Sequence, residues 1–506
     1  MKKIESINKI IILMSIIFTV FGCTDDNNRL EAPLLKPDIE FYGLTASNQL
    51  VKYNAAQSDM AIGTTTITGV AGSEKIIAID FRPATGQLYG LSNGSKIYTI
   101  NYMTGAASMV GTTAFTPALN GTIAGFDFNP TVDRIRLVTS SGQNLRLNPE
   151  TGAVAATDGP LNPGTPNIGA VAYTNNVAGA STTTLFNLDF ATNKLYKQDP
   201  PNNGSLVEVG SLFATATSGM EGGFDISSDN MVALATFMEG GNSNLYQINT
   251  TGGVAVNLGK LNVPLIGLAI PTAPVAYAID NANNLHIFNF NNVGTTVSKA
   301  ITGMQAGENI LGIDMRPATG QLYALGSTSR MYTINMSSGA ATVVGTAPFA
   351  TVLAGSNFGF DFNPTVDRVR VVSDMGQNLR LNPNDGTIAA VDLALNPGTP
   401  RVSAAAYTNN FAGATTTVLF DIDATTDKLY SQVPPNNGTL VETGNLGINI
   451  EANNGFDITG ISGKAYGLFT VGGVNKIYSI NLTSGQATEL STFPFAAKGF
   501  AVGLGF

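Results

Sequence analysis

Short apolar runs separated by polar turns, with no helical period, fill this chain of 506 residues. Tyr98, Ile100 and Tyr102 alternate with Thr99 and Asn101, the period of two expected of a half-buried strand. Around that strand the pattern is an apolar strand, a polar turn, LYxL, another turn, LYxI, then Asn-x-x-Thr-Gly and a last strand. Four such units start at Ile77, Gly125, Val171 and Gly223. Starts recur about every 43–53 residues, the range of four-stranded propeller blades. Beyond the N-terminal segment no stretch offers a helical period with caps.

The whole set is written twice. FRPATGQLY at Phe81–Tyr89 returns as MRPATGQLY at Met315–Tyr323, and GFDFNPTVDRIRLV at Gly125–Val138 returns as GFDFNPTVDRVRVV at Gly359–Val372. GQNLRLNP, LNPGTP, AYTNN and PPNNG recur in the same order, so one structural unit is duplicated in tandem. Tyr42–Asn54 supplies the middle strands of a further blade, and Val263–Pro271 an inner strand that needs such partners. Each copy then has five blades if its end closes on its own beginning, which removes exposed sheet edges. Tyr277–Phe290 opens copy two, and Phe500–Phe506 is expected to close it. The expected fold is all-β, with two tandem five-bladed β-propeller-like domains at residues 38–273 and 274–506. One ten-bladed ring is the alternative, because the junction Pro271–Pro274 is no longer than an ordinary turn. The repeated blocks resemble the bacterial family known as domain of unknown function 4394, once per copy and over essentially the whole mature chain. That resemblance implies a propeller-like, secreted or surface protein and carries over no catalytic residue.

Met1 to Cys23 reads as a secretion signal: Lys2, Lys3 and Lys9 precede an apolar stretch, Ile10–Val20, too short to span a bilayer. Val20-Phe21-Gly22-Cys23 resembles the lipobox of bacterial lipoproteins, although Phe21 is bulkier than the usual residue. The resemblance implies removal of residues 1–22 and acylation of Cys23, the only cysteine of the chain. Residues 23–37 are polar and proline-bearing, the composition of a flexible tether. Asp25 and Asp26 resemble the acidic export signal of surface-exposed lipoproteins. The expectation is a cell-envelope protein held to the outer membrane by lipid, with its periplasmic or outer face open.

Composition narrows the partners. Hydrophobic residues make up 43% and charged residues 12%, the balance being neutral turn-forming residues, and the formal charge is −9. Nucleic acid and anionic headgroups need a Lys/Arg surface, so a protein or glycan ligand is expected instead.

Candidate chemistry is sparse. His286 is the sole histidine, with Val51 at the matching place in copy one, and reads as a packed strand residue. With one His and one Cys, zinc and copper sites and His-dependent nucleophiles have no usual ligand set or base, and no cofactor or metal is expected. Asp421, Asp423 and Asp427 have calcium-like spacing, but copy one has Asn187, Asp189 and Asn193 there and the loop glycine is missing. The carboxylates left for acid–base work are Asp80, Asp127, Asp133 and Asp225, with Asp314, Asp361, Asp367 and Asp457 in copy two. Two of them across a pocket would suit a glycosidase. Repetition in most blades instead reads as an Asp accepting backbone N–H groups in the turn after the first strand. Arg134, Arg136 and Arg146, and their mates Arg368, Arg370 and Arg380, cluster in one blade per copy. They would bind an acidic ligand or pair with carboxylates of the protein. The reading is a binding scaffold at the bacterial surface without chemistry of its own. Its rival is a carbohydrate-active enzyme or lectin using Asp and Arg residues in the funnel, a role weakened by the absence of Trp.

Overall fold

The structure, a computed structural model, describes residues 35–214 and 221–506. The signal segment, Cys23 and the tether up to residue 34 lie outside the described residues. Lys36–Phe506 forms one compact unit built of ten four-stranded antiparallel sheets.

Each sheet is a blade; in eight its first strand in the chain lies innermost, and in the closing blade of each ring the last strand of the copy takes that place. In the first half the inner strands Ile76–Phe81, Ala124–Asn129, Ile168–Tyr173, Phe224–Ile226 and Gly267–Ala269 touch in a closed cycle. In the second half Ile310–Arg316, Phe358–Asn363, Val402–Tyr407, Asn454–Ile458 and Ala497–Val502 do the same. These are two five-membered rings, and register decides the matter. Gly267–Ala269 pairs with Glu40–Leu44 of its own copy (Tyr42 opposite Ala269), and Ala276–Asp280 pairs with Ala497–Val502 (Ala276 opposite Val502). A ten-bladed ring would need those partners exchanged. Five blades crowd the axis, so small residues stand where neighbouring inner strands meet. A Cβ on Gly223 would lie 2.1 Å from the backbone nitrogen of Leu268.

Between the blades lies the core, made of the alternating residues of facing sheets. Leu91, Leu137 and Leu145 fill one such seam, and Leu325, Val371 and Leu379 the matching seam of the second ring. The closing segment of copy two differs from expectation. The strand is Ala497–Val502, while Gly503–Phe506 leaves the sheet and lies between the rings. There Gly505 N donates to Thr85 O at 2.9 Å, and Phe506 O accepts from Ile461 N and Ser462 N. The Phe506 ring covers Gly86 so closely that a Cβ there would sit 2.2 Å from it. The rings also meet through Tyr277, whose hydroxyl donates to Ala84 O at 2.8 Å, and through Gln321 Nε2 on Glu150 Oε2 at 3.0 Å. The contacts of Thr85, Ala84, Gly86, Ile461 and Ser462 all involve the turns that follow inner strands. The opposite mouth of each ring, where inner strands begin, points away from that seam.

Candidate functional site

Three places gather polar side chains: the ring axes, the Arg-rich blade and the mouth of the first ring.

Each axis carries three aspartates and two alanines, one per inner strand. Asp80, Asp127 and Asp225 meet in ring one with carboxylate oxygens within 4.8 Å of one another, and Asp314, Asp361 and Asp457 meet likewise in ring two. The fourth and fifth strands place Ala172 and Ala269, or Ala406 and Ala501, at this layer. The expected turn role is only half of what the structure displays. Asp80 accepts Phe81 N at 2.7 Å, but its second oxygen accepts Phe128 N, on the next blade, at 2.8 Å. Asp127 accepts Tyr173 N at 3.0 Å, and Asp225 accepts Ile270 N at 2.6 Å. Ring two repeats all three blade-to-blade bonds, through Phe362, Tyr407 and Val502. The carboxylates therefore tie inner strands together, in three blades of five.

Such crowding changes their protonation. Burial, and then the charge of Asp225, pushes Asp80 well above the ordinary carboxylate range. Burial pushes Asp225 up to about 7, and Asp457 up to about 7. Three carboxylates so close could hold a cation, but retained protons relieve the same repulsion. They are fully buried and committed to backbone donors, a poor arrangement for reaching a glycosidic bond.

In the Arg-rich blade, Arg136 and Arg146 stand directly opposite each other on paired strands and converge on Asp158. Arg136 Nη1 reaches Asp158 Oδ2 at 2.7 Å, and Arg146 grips both oxygens at 2.8 and 2.9 Å. Arg136 also donates to Asn144, to Tyr173 and, in the next blade, to Asn202. Hydrogen bonds from Arg146 and Arg136 overcome the opposing effect of burial and hold Asp158 below its usual range. Arg370 and Arg380 share Asp392 in the same way. Arg134 and Arg368 donate to the backbone oxygens of Asp133 and Asp367. These guanidiniums brace two blades.

Sequence reasoning missed Arg82. It is fully buried, forks onto Asp133 of the next blade, and donates to Gly320 O of the other ring at 3.1 Å. Arg316 forks onto Asp367 likewise. The available signal was that RPATG and TVD recur together in both copies. The calcium-like run does not converge: Asp423 accepts Thr425 N, Thr426 N and Arg401 N, while Asp427 accepts Ile450 N. Asp421 instead points into the blade, fully buried, and burial pushes it up to about 8. His286 is buried, bonded through Nδ1 to Ser298 Oγ at 2.8 Å and stacked on Phe495.

The mouth of ring one is different in kind. Three residues before the axial layer, its five inner strands carry Ile77, Ala124, Gly169, Gly222 and Ile266. These line a cavity of about 230 Å³, with Lys75, Asn93, Thr122 and Glu221 at its rim. The same layer in ring two reads Leu311, Phe358, Ser403, Asn454 and Lys498. Phe358 is buried there, and Asn454 Nδ2 donates to Ser403 Oγ at 2.9 Å across neighbouring inner strands. Ring one thus has a cavity at this layer, where ring two carries a larger and a more polar set of residues.

Two solved structures match the chain at low similarity. The extracellular domain of the one component system BT4673 from B. thetaiotaomicron is 12% identical, with a TM-score of 0.25, over 89% of this chain and 59% of that one. PorZ, a surface component of the type-IX secretion system of Porphyromonas gingivalis, is 12% identical, with a TM-score of 0.26, over 90% and 58%. The chain thus spans about three fifths of the length of each. No curated protein matches it. The family model described as a domain of unknown function, DUF4394, matches residues 49–269 and again 284–502. The chain belongs to the DUF4394 family and carries two tandem copies of its domain.

Proposed function

We propose that this is a lipid-anchored binding protein of the bacterial cell envelope, tethered through Cys23, which presents the open mouth of its first ring to a ligand. The observation that carries the reading is a contrast. The Asp and Arg groups suited to chemistry are spent on neighbouring blades, whereas the mouth of ring one is apolar and open among the described residues. Membrane attachment then rests on the acylated cysteine. No helix among the described residues is long and apolar enough to cross a membrane.

Two measurements test this. Cys23→Ser is expected to move the protein from the membrane fraction to the soluble fraction, and continued sedimentation with membranes overturns the anchor. Glycoside hydrolysis by the wild type that disappears in Asp127→Asn would replace the binding reading with the enzymatic one.

A further inference from the structure

The mouth of ring one combines three features, and together they define a ligand. Its walls are aliphatic, from Ile77, Ile123 and Ile266, with Ala124 and the backbone of Gly169 and Gly222 completing the lining. Its volume, about 230 Å³, is below the roughly 300–1,000 Å³ typical of larger ligands but above the ~150 Å³ that accommodates a benzene ring. Its rim carries one cation, Lys75, and one anion, Glu221. Both are exposed, and neither is ion-paired among the described residues. Among the described residues Lys75 Nζ donates only to the Ala46 backbone oxygen, at 3.1 Å.

We propose that this mouth binds a free hydrophobic α-amino acid. The side chain fills the aliphatic funnel, the carboxylate meets Lys75 and the ammonium meets Glu221. An apolar body removed from water supplies the favourable free energy, and the two rim charges select a zwitterion over a hydrocarbon or a fatty acid. Ring two lacks both rim charges: Asn309 and Asn453 stand where ring one has Lys75 and Glu221, and Asn454 bonds Ser403 at the layer below.

This inference rests on the binding reading above, and its test is separate from fractionation and hydrolysis. Titration calorimetry of the full chain in detergent uses L-leucine, L-phenylalanine, L-glutamate and N-acetyl-leucine amide. Leucine or phenylalanine is expected to bind once per chain, with the blocked amide and glutamate at least 10-fold weaker. Ala124→Phe, which installs the side chain of ring two, is expected to abolish binding, and Ile266→Lys does so independently should the first variant fold poorly. Lys75→Met and Glu221→Gln should each weaken leucine by about 10-fold without shifting the melting temperature. Absence of binding by both hydrophobic amino acids overturns the proposal while leaving the envelope assignment to its own tests. Equal affinity for the blocked amide overturns it as well, because the rim charges would then play no part.

Discussion

At the scale of single residues, the polar groups of this protein act as ties between blades. Arg136 reaches Asp158, Asn144 and Asn202, so its removal leaves two amides and part of a buried carboxylate without donors. Arg136→Ala is expected to cost about 3 kcal/mol in urea unfolding, with the fold retained. Arg134→Ala, which loses a bond to one backbone oxygen, should cost under about 1 kcal/mol. Asp421 offers a cleaner experiment, since the matching residue in ring one is Asn187. Its carboxyl is pushed up to about 8 by burial, so the folded state holds a proton that the unfolded chain releases near pH 4. Its stabilising contribution is full below that pH and is lost as pH rises through about 8. Asp421→Asn should therefore remove about 1.4 kcal/mol per pH unit from the decline in stability between about pH 5 and 7.5, as read from denaturation at several pH values.

At the scale of elements, the unit is an inner strand whose aspartate accepts an N–H from the inner strand of the next blade. Three carboxylates serve each axis, and Ala269 and Ala501 mark where a fourth would enter. Ala269→Asp is expected to destabilise ring one by about 2–4 kcal/mol at pH 8, with the penalty shrinking toward pH 4 as the acids take up protons. A thermal melt at both pH values reads the difference. Much of this level was legible in the sequence. The period of two marked the strand around Tyr98, and Val263–Pro271 betrayed a strand lacking partners in its own stretch of chain. The role of Asp127 was not legible, because the amide it accepts, Tyr173 N, belongs to the next blade and lies 46 residues away. Arg82 and Asp133 were hidden for the same reason, 51 residues apart.

At the scale of the molecule, two closed rings share a seam made from the turns after their inner strands. Closure within each copy means that residues 38–273 contain all the strands their ring requires. That fragment is expected to unfold cooperatively by itself, at a lower temperature than the whole chain because Ala84 and its neighbours lose their cover. A fragment that circular dichroism finds unfolded would mean that the seam, rather than closure, holds the ring. Phe506→Ala should loosen the seam and leave both rings folded, which hydrogen exchange at Thr85 and Gly86 can follow. The size of the seam was not readable beforehand, since Gly503–Phe506 looked like the end of a strand.

The junction between the copies has a kinetic side. Gly267–Ala269 and Ala276–Asp280 are separated by a few residues, so a hairpin between them would form long before either strand meets its distant mate. Their proper partners, Glu40–Leu44 and Ala497–Val502, lie more than two hundred residues away in opposite directions. At ordinary synthesis rates Ala276–Asp280 waits roughly 10–45 s for its mate to be made. Throughout that wait the mispaired hairpin is the nearest competitor, and it would thread the two rings into one. Pro271 and Pro274 stand in that link and have no N–H to give a ladder, which penalises the hairpin without touching either native sheet. A near-perfect internal duplication thereby avoids confusing its halves at the one place where they are closest.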